Sequence, residues 1–472
     1  MRVAANLSGM TRSTWRWASG LAIVTVMALS SGAIADETTR RYAAVGSLGS
    51  SDPVTRERAA EKLLATRDRA WIPPLVDQLF FVPVRHRGEI LRVLAGLAGE
   101  RRERYLDWVD YLGNHPEIGA PPAYVGWKGA LFSRIDPRFV ELLRDDAPLR
   151  LRAEEIVFGG VPFDGIPSLE RPPHVAVAAA KLADDELVFA AEVGGETRAW
   201  PIGVLSWHEM LNDSLGGEPV TLSFCTLCRS AVLYRGRLPS GEETSFGTSG
   251  LLYRSNKLMF DRKTRTLWSN LTGEAILGPL AAGAAAPPLE VLPLVVTTWG
   301  AWRELHPTTS AMLGDARTAQ RYGYDYRAGA AERRRAGVSF PVPRSDARLP
   351  PNDEIWGLRL GGRAKAYALR PLLAAGVVND RVGDEPVVLV ADGESGAVRV
   401  YRRGTHSFHR DAAGNLRDET GARWRVAEDA LHLGAPPEGG TATATPLTRL
   451  PAVPSFWFGW QAFYPGSELW SG

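Results

Sequence analysis

A two-copy architecture can be inferred from the stretch VGGETRAWPIGVLSWHEMLNDSLGGEPVTLSFCTLCRSAVLYR (193–235), because much of it recurs further along the chain. Shifted by 167 residues, positions 188–235 lie over 355–402, and 13 of the 48 aligned residues are identical. With a shift of 158, the tryptophan-containing segment 292–307 lies over 450–465. Two ungapped stretches that agree in the same order indicate an internal duplication.

The duplication predicts two copies of one module, at about 185–310 and 352–468, packed as a pseudo-two-fold pair. Short apolar runs separated by paired glycines indicate strands joined by tight turns. The predicted fold class is therefore α+β, with a helical N-terminal region followed by a tandem duplicated, mainly β module. The predicted domains are a signal peptide (1–35), a helical region (36–150), the first copy (151–335) and the second copy (336–472).

The two copies differ where side chains can carry chemistry. Cys225 and Cys228 are the two cysteines of the chain, and they form a Cys-x-x-Cys motif in the first copy. His208 and Glu209 also belong to the first copy alone. The second copy has Asp392, Ser395, Ala375 and Gly376 at these four positions. A functional site is therefore expected in the first copy, with the second copy as a scaffold or a pocket wall.

The Cys-x-x-Cys pair is compatible with several kinds of chemistry. A redox dithiol would close and reopen a disulfide through thiolate attack, helped by a cation such as Arg229 or by nearby His208. A metal site would combine Cys225 and Cys228 with His208 and His306 around zinc or copper. A structural disulfide would close so short a loop that its entropic gain is small. A cysteine nucleophile of another kind would use either histidine as its base. The redox dithiol, with Cys225, Cys228 and His208 as catalytic residues, is the leading hypothesis.

Further side chains are candidates for a supporting role in the same site. Asp261 and Arg262, adjacent in the sequence, are interpreted as a buried ion pair, with a substrate clamp as the alternative. The remaining candidates are Glu209, Arg229, Ser249, Tyr253 and Trp268.

The N-terminus predicts export of the protein. Three arginines precede the apolar run LAIVTVMAL (21–29), and small residues at Ala33 and Ala35 suit signal-peptide cleavage before Asp36. The apolar run is shorter than a membrane-spanning helix requires. Removing 1–35 lowers the net charge from +2 to about −1, which gives no electrostatic case for nucleic acid. We therefore expect a periplasmic protein without a transmembrane segment.

Residues 36–150 show helical periodicity. Apolar residues recur at helical spacing over 54–64, 71–81 and 88–98. Paired short helices of this kind predict a HEAT-like repeat, with an irregular helical cap as the alternative. Such a region offers a surface for a protein partner. The basic run Arg333–Arg335 is interpreted as a solvated part of a loop.

Six motifs follow one another along the chain: EIVFGGVPFDGIPSL (155–169), SFCTLCRSAV (223–232), FGTSGLLYRSNKLMFDRKTRTLWS (246–269), GEAILGP (273–279), TTWGAWRELHP (297–307) and FWFGWQAFYP (456–465). Together they resemble the bacterial family catalogued as domain of unknown function 3179. The resemblance covers about residues 150–470. Some members are described as selenoproteins, and selenocysteine at a position of the Cys-x-x-Cys motif would imply redox or strongly nucleophilic use. This chain has cysteine at both places.

Overall fold

A computed structural model describes residues 38, 40–283, 287–314, 322, 326–434 and 445–472. It is a mixed α+β protein in which helices come first and sheets follow, as predicted. The predicted signal peptide, 1–35, lies outside the described residues.

The N-terminal region is helical, and the apolar periodicity correctly located three of its helices, α2, α3 and α4. Asp52 caps one of them by accepting hydrogen bonds from the backbone N–H groups of Val54 and Thr55, and Pro53 occupies the first helical position. The apolar faces pack into one core with strands of the following region. The helices are α1 (40–47), α2 (Pro53–Thr66), α3 (Ile72–Phe81), α4 (Gly88–Ala98), α5 (Tyr105–Asn114), α6 (Tyr124–Phe132) and α7 (Phe139–Leu142).

The first β region contains three five-stranded sheets, whose orders are β1-β9-β10-β11-β12, β13-β8-β7-β6-β2 and β14-β4-β5-β15-β3. Its strands are β1 (Ile156–Phe158), β2 (Leu169–Glu170), β3 (His174–Ala176), β4 (Leu187–Val193), β5 (Glu196–Pro201), β6 (Met210–Leu215), β7 (Glu218–Cys225), β8 (Ser230–Arg235), β9 (Phe246–Tyr253), β10 (Asn256–Asp261), β11 (Leu267–Ser269), β12 (Ala275–Leu277), β13 (Val291–Leu292), β14 (Val295–Thr298) and β15 (Ser310–Met312). Its helices are α8 (Ile202–His208) and α9 (Trp299–Leu305).

The second β region contains a four-stranded sheet, β26-β16-β17-β27, and an eight-stranded sheet, β18-β19-β20-β25-β24-β23-β22-β21. Its strands are β16 (Glu354–Leu360), β17 (Arg363–Ala368), β18 (Val377–Val382), β19 (Glu385–Ala391), β20 (Val398–Arg402), β21 (His409–Arg410), β22 (Leu416–Arg417), β23 (Arg423–Val426), β24 (Ala430–Leu433), β25 (Leu447–Leu450), β26 (Ala452–Phe456) and β27 (Glu468–Trp470). Its helices are α10 (Tyr326–Ala336), α11 (Leu369–Ala375) and α12 (Trp457–Gln461).

The basic run Arg333–Arg335 lies in the last turn of α10, so its interpretation as part of a loop was wrong. Alanines before and after the arginines favour helix, and cations suit a helix C-terminus.

Strand pairing has the same register at positions that align in the sequence. Val188 pairs with Pro201 between β4 and β5, and Ile355 pairs with Ala368 between β16 and β17, 167 residues further on. The same offset relates the β6–β7 pairing to β18–β19. The β14–β4 pairing matches β26–β16, and β15–β5 matches β27–β17, when β14 and β15 are shifted by 158 residues and β4 and β5 by 167.

The two β regions share a hydrophobic core. Met210 and Trp268 of the first region lie in the same buried cluster as Trp457 and Trp460 of the second. Trp457 and Trp460 are three residues apart on α12, so they share one face of the helix, and both are almost fully buried. This contact brings α12 and β26 against the hairpin that carries the cysteines.

Candidate functional site

The cysteines lie in the hairpin that joins β7 to β8. Cys225 is the last residue of β7 and pairs with Ser230, the first residue of β8. The four loop residues 226–229 end at Arg229, whose φ of 54° is left-handed. A non-glycine residue in this conformation costs roughly 1–2 kcal/mol. The buried contacts of the Arg229 side chain offset that cost.

Both sulfurs are free thiols, and they differ in their neighbours. Cys225 is 1% exposed and Cys228 is fully buried. The amide nitrogen of Asn256 donates a hydrogen bond to the Cys228 sulfur over 3.0 Å, and the Ser230 hydroxyl lies 3.2 Å from that sulfur. The pair is therefore buried in a polar environment.

The two thiols have opposite pKa shifts. Burial and the Glu209 carboxylate work to raise the pKa of Cys225, but hydrogen bonds from the side chain and backbone of Cys228, with a contribution from the Lys257 ammonium, lower it to about 7. Burial and the neighbouring Cys225 raise the pKa of Cys228 well above its usual value. Cys225 is therefore the thiol of the pair that ionises first, and near neutral pH a large part of it is thiolate.

Lys257 on β10 places a buried cation next to the dithiol. Its Nζ donates hydrogen bonds to the carbonyl oxygens of Glu209 over 2.6 Å and Phe224 over 2.9 Å. The Oε2 atom of Glu209 lies 3.7 Å from the same nitrogen. Burial lowers the pKa of Lys257, while Glu209 and the two cysteines act to raise it. The carboxylate and the carbonyl groups replace the water that the ammonium loses.

Glu209 follows helix α8 in a left-handed conformation, with φ of 57°. Its Oε1 accepts a hydrogen bond from the hydroxyl of Thr226, the residue after Cys225, over 2.7 Å. This bond ties the carboxylate to the hairpin loop. Glu209 therefore links the end of α8, the loop and Lys257.

A cavity of about 180 Å³ opens beside Cys225. Its lining combines polar groups of the dithiol site with aliphatic side chains. The lining residues are Gly159, Val161, Ile166, Glu209, Cys225, Thr226, Leu227, Thr248, Gly250, Leu251, Leu252, Lys257 and Leu258.

Arg229 connects the hairpin to the second β region. Its Nη1 donates to the carbonyl oxygen of Tyr326 over 2.7 Å, and its guanidinium lies 3.1 Å from the centre of that residue's ring. Its Nη2 lies 3.2 Å from Oε1 of Glu354. The backbone N–H of Phe456 donates to the carbonyl oxygen of Cys228 over 2.7 Å. Arg229 is buried, and these contacts hold its guanidinium in place.

In the structure, the rings of the two predicted histidines contact groups other than the cysteines. His208 Nδ1 donates to the carbonyl oxygen of Pro167 over 2.7 Å, and its Nε2 lies 2.8 Å from the Tyr322 hydroxyl. His306 stacks on Trp302, and its Nε2 lies 3.7 Å from Oε1 of Glu428. No described contact joins either ring to a sulfur. Within the described residues, no three His, Cys, Asp or Glu side chains are grouped as metal ligands, so the four-ligand set is not assembled.

The interpretation of Asp261 and Arg262 as an ion pair with each other was wrong. Arg262 instead forms a two-pronged ion pair with Asp164, at 2.7 and 3.0 Å. Asp261 is fully buried and accepts hydrogen bonds from Trp268 Nε1 and from Thr264 in the turn after β10. Adjacent residues of a strand point to opposite faces, so sequence neighbours there do not pair.

Ser249 and Tyr253 occupy structural positions on β9. The Ser249 hydroxyl donates to the carbonyl oxygen of Leu258 over 2.6 Å, and the Tyr253 ring packs edge-on against Phe463. Among the supporting candidates, Glu209 is the one that lines the cavity together with Cys225.

Sequence reasoning missed Lys257, Asn256 and Thr226. The signal that would have found Lys257 is a lysine inside the apolar strand NKLMFD (256–261), where a buried cation needs a partner. The signal for Asn256 is weaker, because its contact with Cys228 joins residues 28 positions apart.

These observations define a mixed α+β protein with a buried, hydrogen-bonded dithiol beside a small cavity. Comparison with protein families places it more narrowly: the profile described as "Protein of unknown function (DUF3179)" matches residues 163–467. The chain therefore belongs to this family, as its motifs indicated. Searches of curated proteins and of solved structures gave no significant match. In the described part of the chain, no helix has the length and apolar character needed to cross a membrane.

Proposed function

We propose that this protein is an exported thiol oxidoreductase in which Cys225 attacks and Cys228 resolves. One observation carries the proposal: Cys225 lines a cavity, while Cys228, three residues further on, is fully buried and hydrogen-bonded to Asn256. A dithiol in this arrangement has one sulfur that a reagent can reach and a second sulfur ready to displace it.

The reaction has two steps. The Cys225 thiolate attacks an electrophilic atom of an oxidant, a bond within the oxidant breaks, and its leaving group takes up a proton. The Cys228 thiol then attacks the Cys225 sulfur, loses its proton, and expels the second fragment as the Cys225–Cys228 disulfide forms. Two electrons pass from the dithiol to the oxidant. The Lys257 ammonium supports the first step, because a nearby cation favours the thiolate.

We also propose that the second β region is a duplicate of the first that acts as a scaffold. Its strands repeat the registers of the first region at a constant offset, which supports descent from one module. Asp392 and Ser395 replace the cysteines, and Gly376 replaces Glu209. The Asp392 carboxylate accepts a hydrogen bond from the Ser395 hydroxyl over 2.8 Å, which stabilises the loop without any redox group.

The proposed location is the periplasm, after cleavage before Asp36. An oxidising compartment suits a protein that forms a disulfide during its cycle. N-terminal sequencing of the protein from a periplasmic extract tests this point. A mature N-terminus at Asp36 supports export, and a chain that retains Met1 in the cytoplasm contradicts it.

For the helical region we propose a HEAT-like arrangement that presents a surface to a protein partner. Helices α2, α3 and α4 pack on one another, while Val84 between α3 and α4 is 78% exposed. Phe80 on α3 is also exposed. Apolar groups that are exposed near one another mark interaction sites more often than isolated ones do.

The redox proposal is tested by mass spectrometry of the native chain after thiol trapping. Protein treated with an oxidant should lose two trappable thiols and two mass units, and a mild reductant should restore both without unfolding the protein. Cys225→Ser should abolish the reaction, and Cys228→Ser should stop it at a mixed or oxidised Cys225 species. Thiols that never pair, or that pair irreversibly, contradict the proposal.

A further inference from the structure

Access to the Cys225 sulfur is restricted by the cavity. Cys225 is 1% exposed, so a reagent reaches its sulfur through the space that the residue lines. That space, about 180 Å³, is smaller than the roughly 300–1,000 Å³ of pockets that hold drug-sized ligands. A reagent with few non-hydrogen atoms therefore fits, and a large one does not.

The cavity is lined by both aliphatic and polar residues. Val161, Ile166 and Leu252 supply aliphatic surface. Thr226, next to Cys225, the Lys257 ammonium and the Glu209 carboxylate supply polar groups. A reagent with a compact polar reacting end and a short hydrocarbon tail suits this mixed lining.

The position of the reacting bond within the reagent also matters. A disulfide lies in the middle of a molecule, because each of its sulfurs carries a further chain. Both chains therefore hinder the approach of the disulfide to a recessed thiolate. In a protein disulfide both chains are polypeptide backbone. A hydroperoxide carries its O–O bond at one end, and the distal oxygen bears only hydrogen. A narrow cavity with the thiolate inside it therefore admits the hydroperoxide end-on.

We infer that the oxidant of this dithiol is a small hydroperoxide, an inference that rests on the redox function proposed above. The Cys225 thiolate attacks the distal oxygen of R–O–OH, a sulfur–oxygen bond forms and the O–O bond breaks. The leaving alkoxide takes one proton from the Lys257 ammonium, which solvent later reprotonates, and departs as R–OH. The Cys228 thiol then attacks the Cys225 sulfenic acid, and water leaves as the disulfide forms. The peroxide is reduced by two electrons, and the two thiols are oxidised to a disulfide.

The same access argument applies to the reductant. A small monothiol also reacts at the end of a chain, so its –CH₂–SH group can enter the cavity. Two such thiols reduce the Cys225–Cys228 disulfide to the two thiols and leave as one small disulfide.

The experiment compares oxidants on the reduced full-length mature protein. Hydrogen peroxide, tert-butyl hydroperoxide and a folded protein with one exposed disulfide are each mixed with it, and the Cys225–Cys228 disulfide is followed by quenched mass spectrometry. We expect both hydroperoxides to react at least about 100-fold faster than the protein disulfide, because a thiolate without access cannot exchange. Equal or faster reaction with the protein disulfide overturns the substrate class but leaves the redox function standing. Formation of the disulfide with none of the three oxidants overturns the redox function itself.

A size-graded variant tests the role of the cavity. Val161→Phe narrows the space without touching the dithiol, and it should slow tert-butyl hydroperoxide at least about tenfold more than hydrogen peroxide. The ratio within one variant does not depend on how much of the protein is folded. Val84→Phe, the same change at a 78% exposed position, is the matched control and should leave the ratio unchanged. An unchanged ratio in Val161→Phe contradicts entry through this cavity.

Discussion

Gly459 lies directly against Cys228. A Cβ atom on Gly459 would stand 2.6 Å from the Cβ of Cys228 and 3.5 Å from its sulfur. Gly459 belongs to α12 of the second β region, whereas Cys228 belongs to the hairpin of the first. Helix α12 therefore packs directly against Cys228. This close approach requires glycine, a residue without a side chain, at position 459.

Gly459→Ala should lower the free energy of unfolding by about 1–3 kcal/mol, because the added methyl group overpacks a buried contact. Alanine is otherwise favoured over glycine in a helix by about 1 kcal/mol. Gly88→Ala, at the start of α4 with no atom within 4 Å of the added Cβ, is the matched control and should be neutral or stabilising. Urea denaturation of both variants measures the difference. Equal effects in the two variants would show that the contact with Cys228 has no energetic weight.

Cys228→Ala should raise the pKa of Cys225 from about 7, because it removes the side-chain hydrogen bond that favours the thiolate. Cys228→Ser keeps a hydroxyl donor at that position and should raise the pKa less. The rate of iodoacetamide labelling of Cys225, measured against pH, reports the thiolate fraction directly. The control is wild-type protein treated with a mild reductant. If the pH midpoint of Cys225 labelling is the same in this control and in both variants, Cys228 does not set the pKa of Cys225.

Lys257→Met should destabilise the fold by about 3–5 kcal/mol, because it leaves the Glu209 carboxylate buried without its cation. The double variant Lys257→Met/Glu209→Gln should recover part of this loss, since it removes the unpaired charge. Chemical denaturation of the two single variants and the double variant gives the coupling between the residues. Strictly additive losses would contradict the pairing. In Lys257→Met alone the Cys225 pKa should rise, because the ammonium that lowers it is lost while the Glu209 carboxylate that raises it stays.

Glu428 joins the two β regions through charge. His306 of the first region and Arg399 of the second lie against its carboxylate, with Nε2 of His306 at 3.7 Å and Nε of Arg399 at 2.6 Å. Burial works to raise the pKa of Glu428, but Arg399, His306 and Arg449 hold it far below its usual range. A depressed carboxyl pKa stabilises the fold fully above the unfolded-state value and loses that effect as the pH falls toward the folded-state value.

Glu428→Gln should therefore cost about 3–5 kcal/mol of stability at pH 7, where the carboxylate is paired with buried arginines. The difference from the wild type should shrink once the pH falls below about 4, because the unfolded carboxylate protonates there first. Denaturation curves at pH 7 and at successively lower pH values measure this difference. If the difference in the free energy of unfolding stays constant across that pH range, the ionised form of Glu428 does not contribute to stability.

Much of the local structure followed from sequence patterns. Helical periodicity located α3 and α4, and the glycine pair 194–195 correctly marked the β4–β5 hairpin, where both residues have positive φ. These features depend on residues close in the chain, whose backbone preferences act independently of the rest of the fold.

The site neighbours did not follow from sequence patterns. His208 and Glu209 are adjacent, yet Glu209 lines the cavity while His208 bonds to Pro167 and Tyr322. Helix α8 ends at His208 and the chain turns through a left-handed residue, which sends the two side chains in different directions. Lys257 reaches the dithiol from a strand of another sheet, a relationship that no short-range pattern encodes.

By itself, the sequence determined that two cysteines stand three residues apart at the end of a strand, and that a repeat without them follows. These properties depend on chain order and on alternation of apolar residues. Only the tertiary structure decided that Cys225 opens onto a cavity, that Lys257 and Glu209 lie beside it, and that α12 supports Cys228. Contacts of this kind join residues 16 to 231 positions apart, and they exist only because sheets and helices pack closely enough to exclude water from between them.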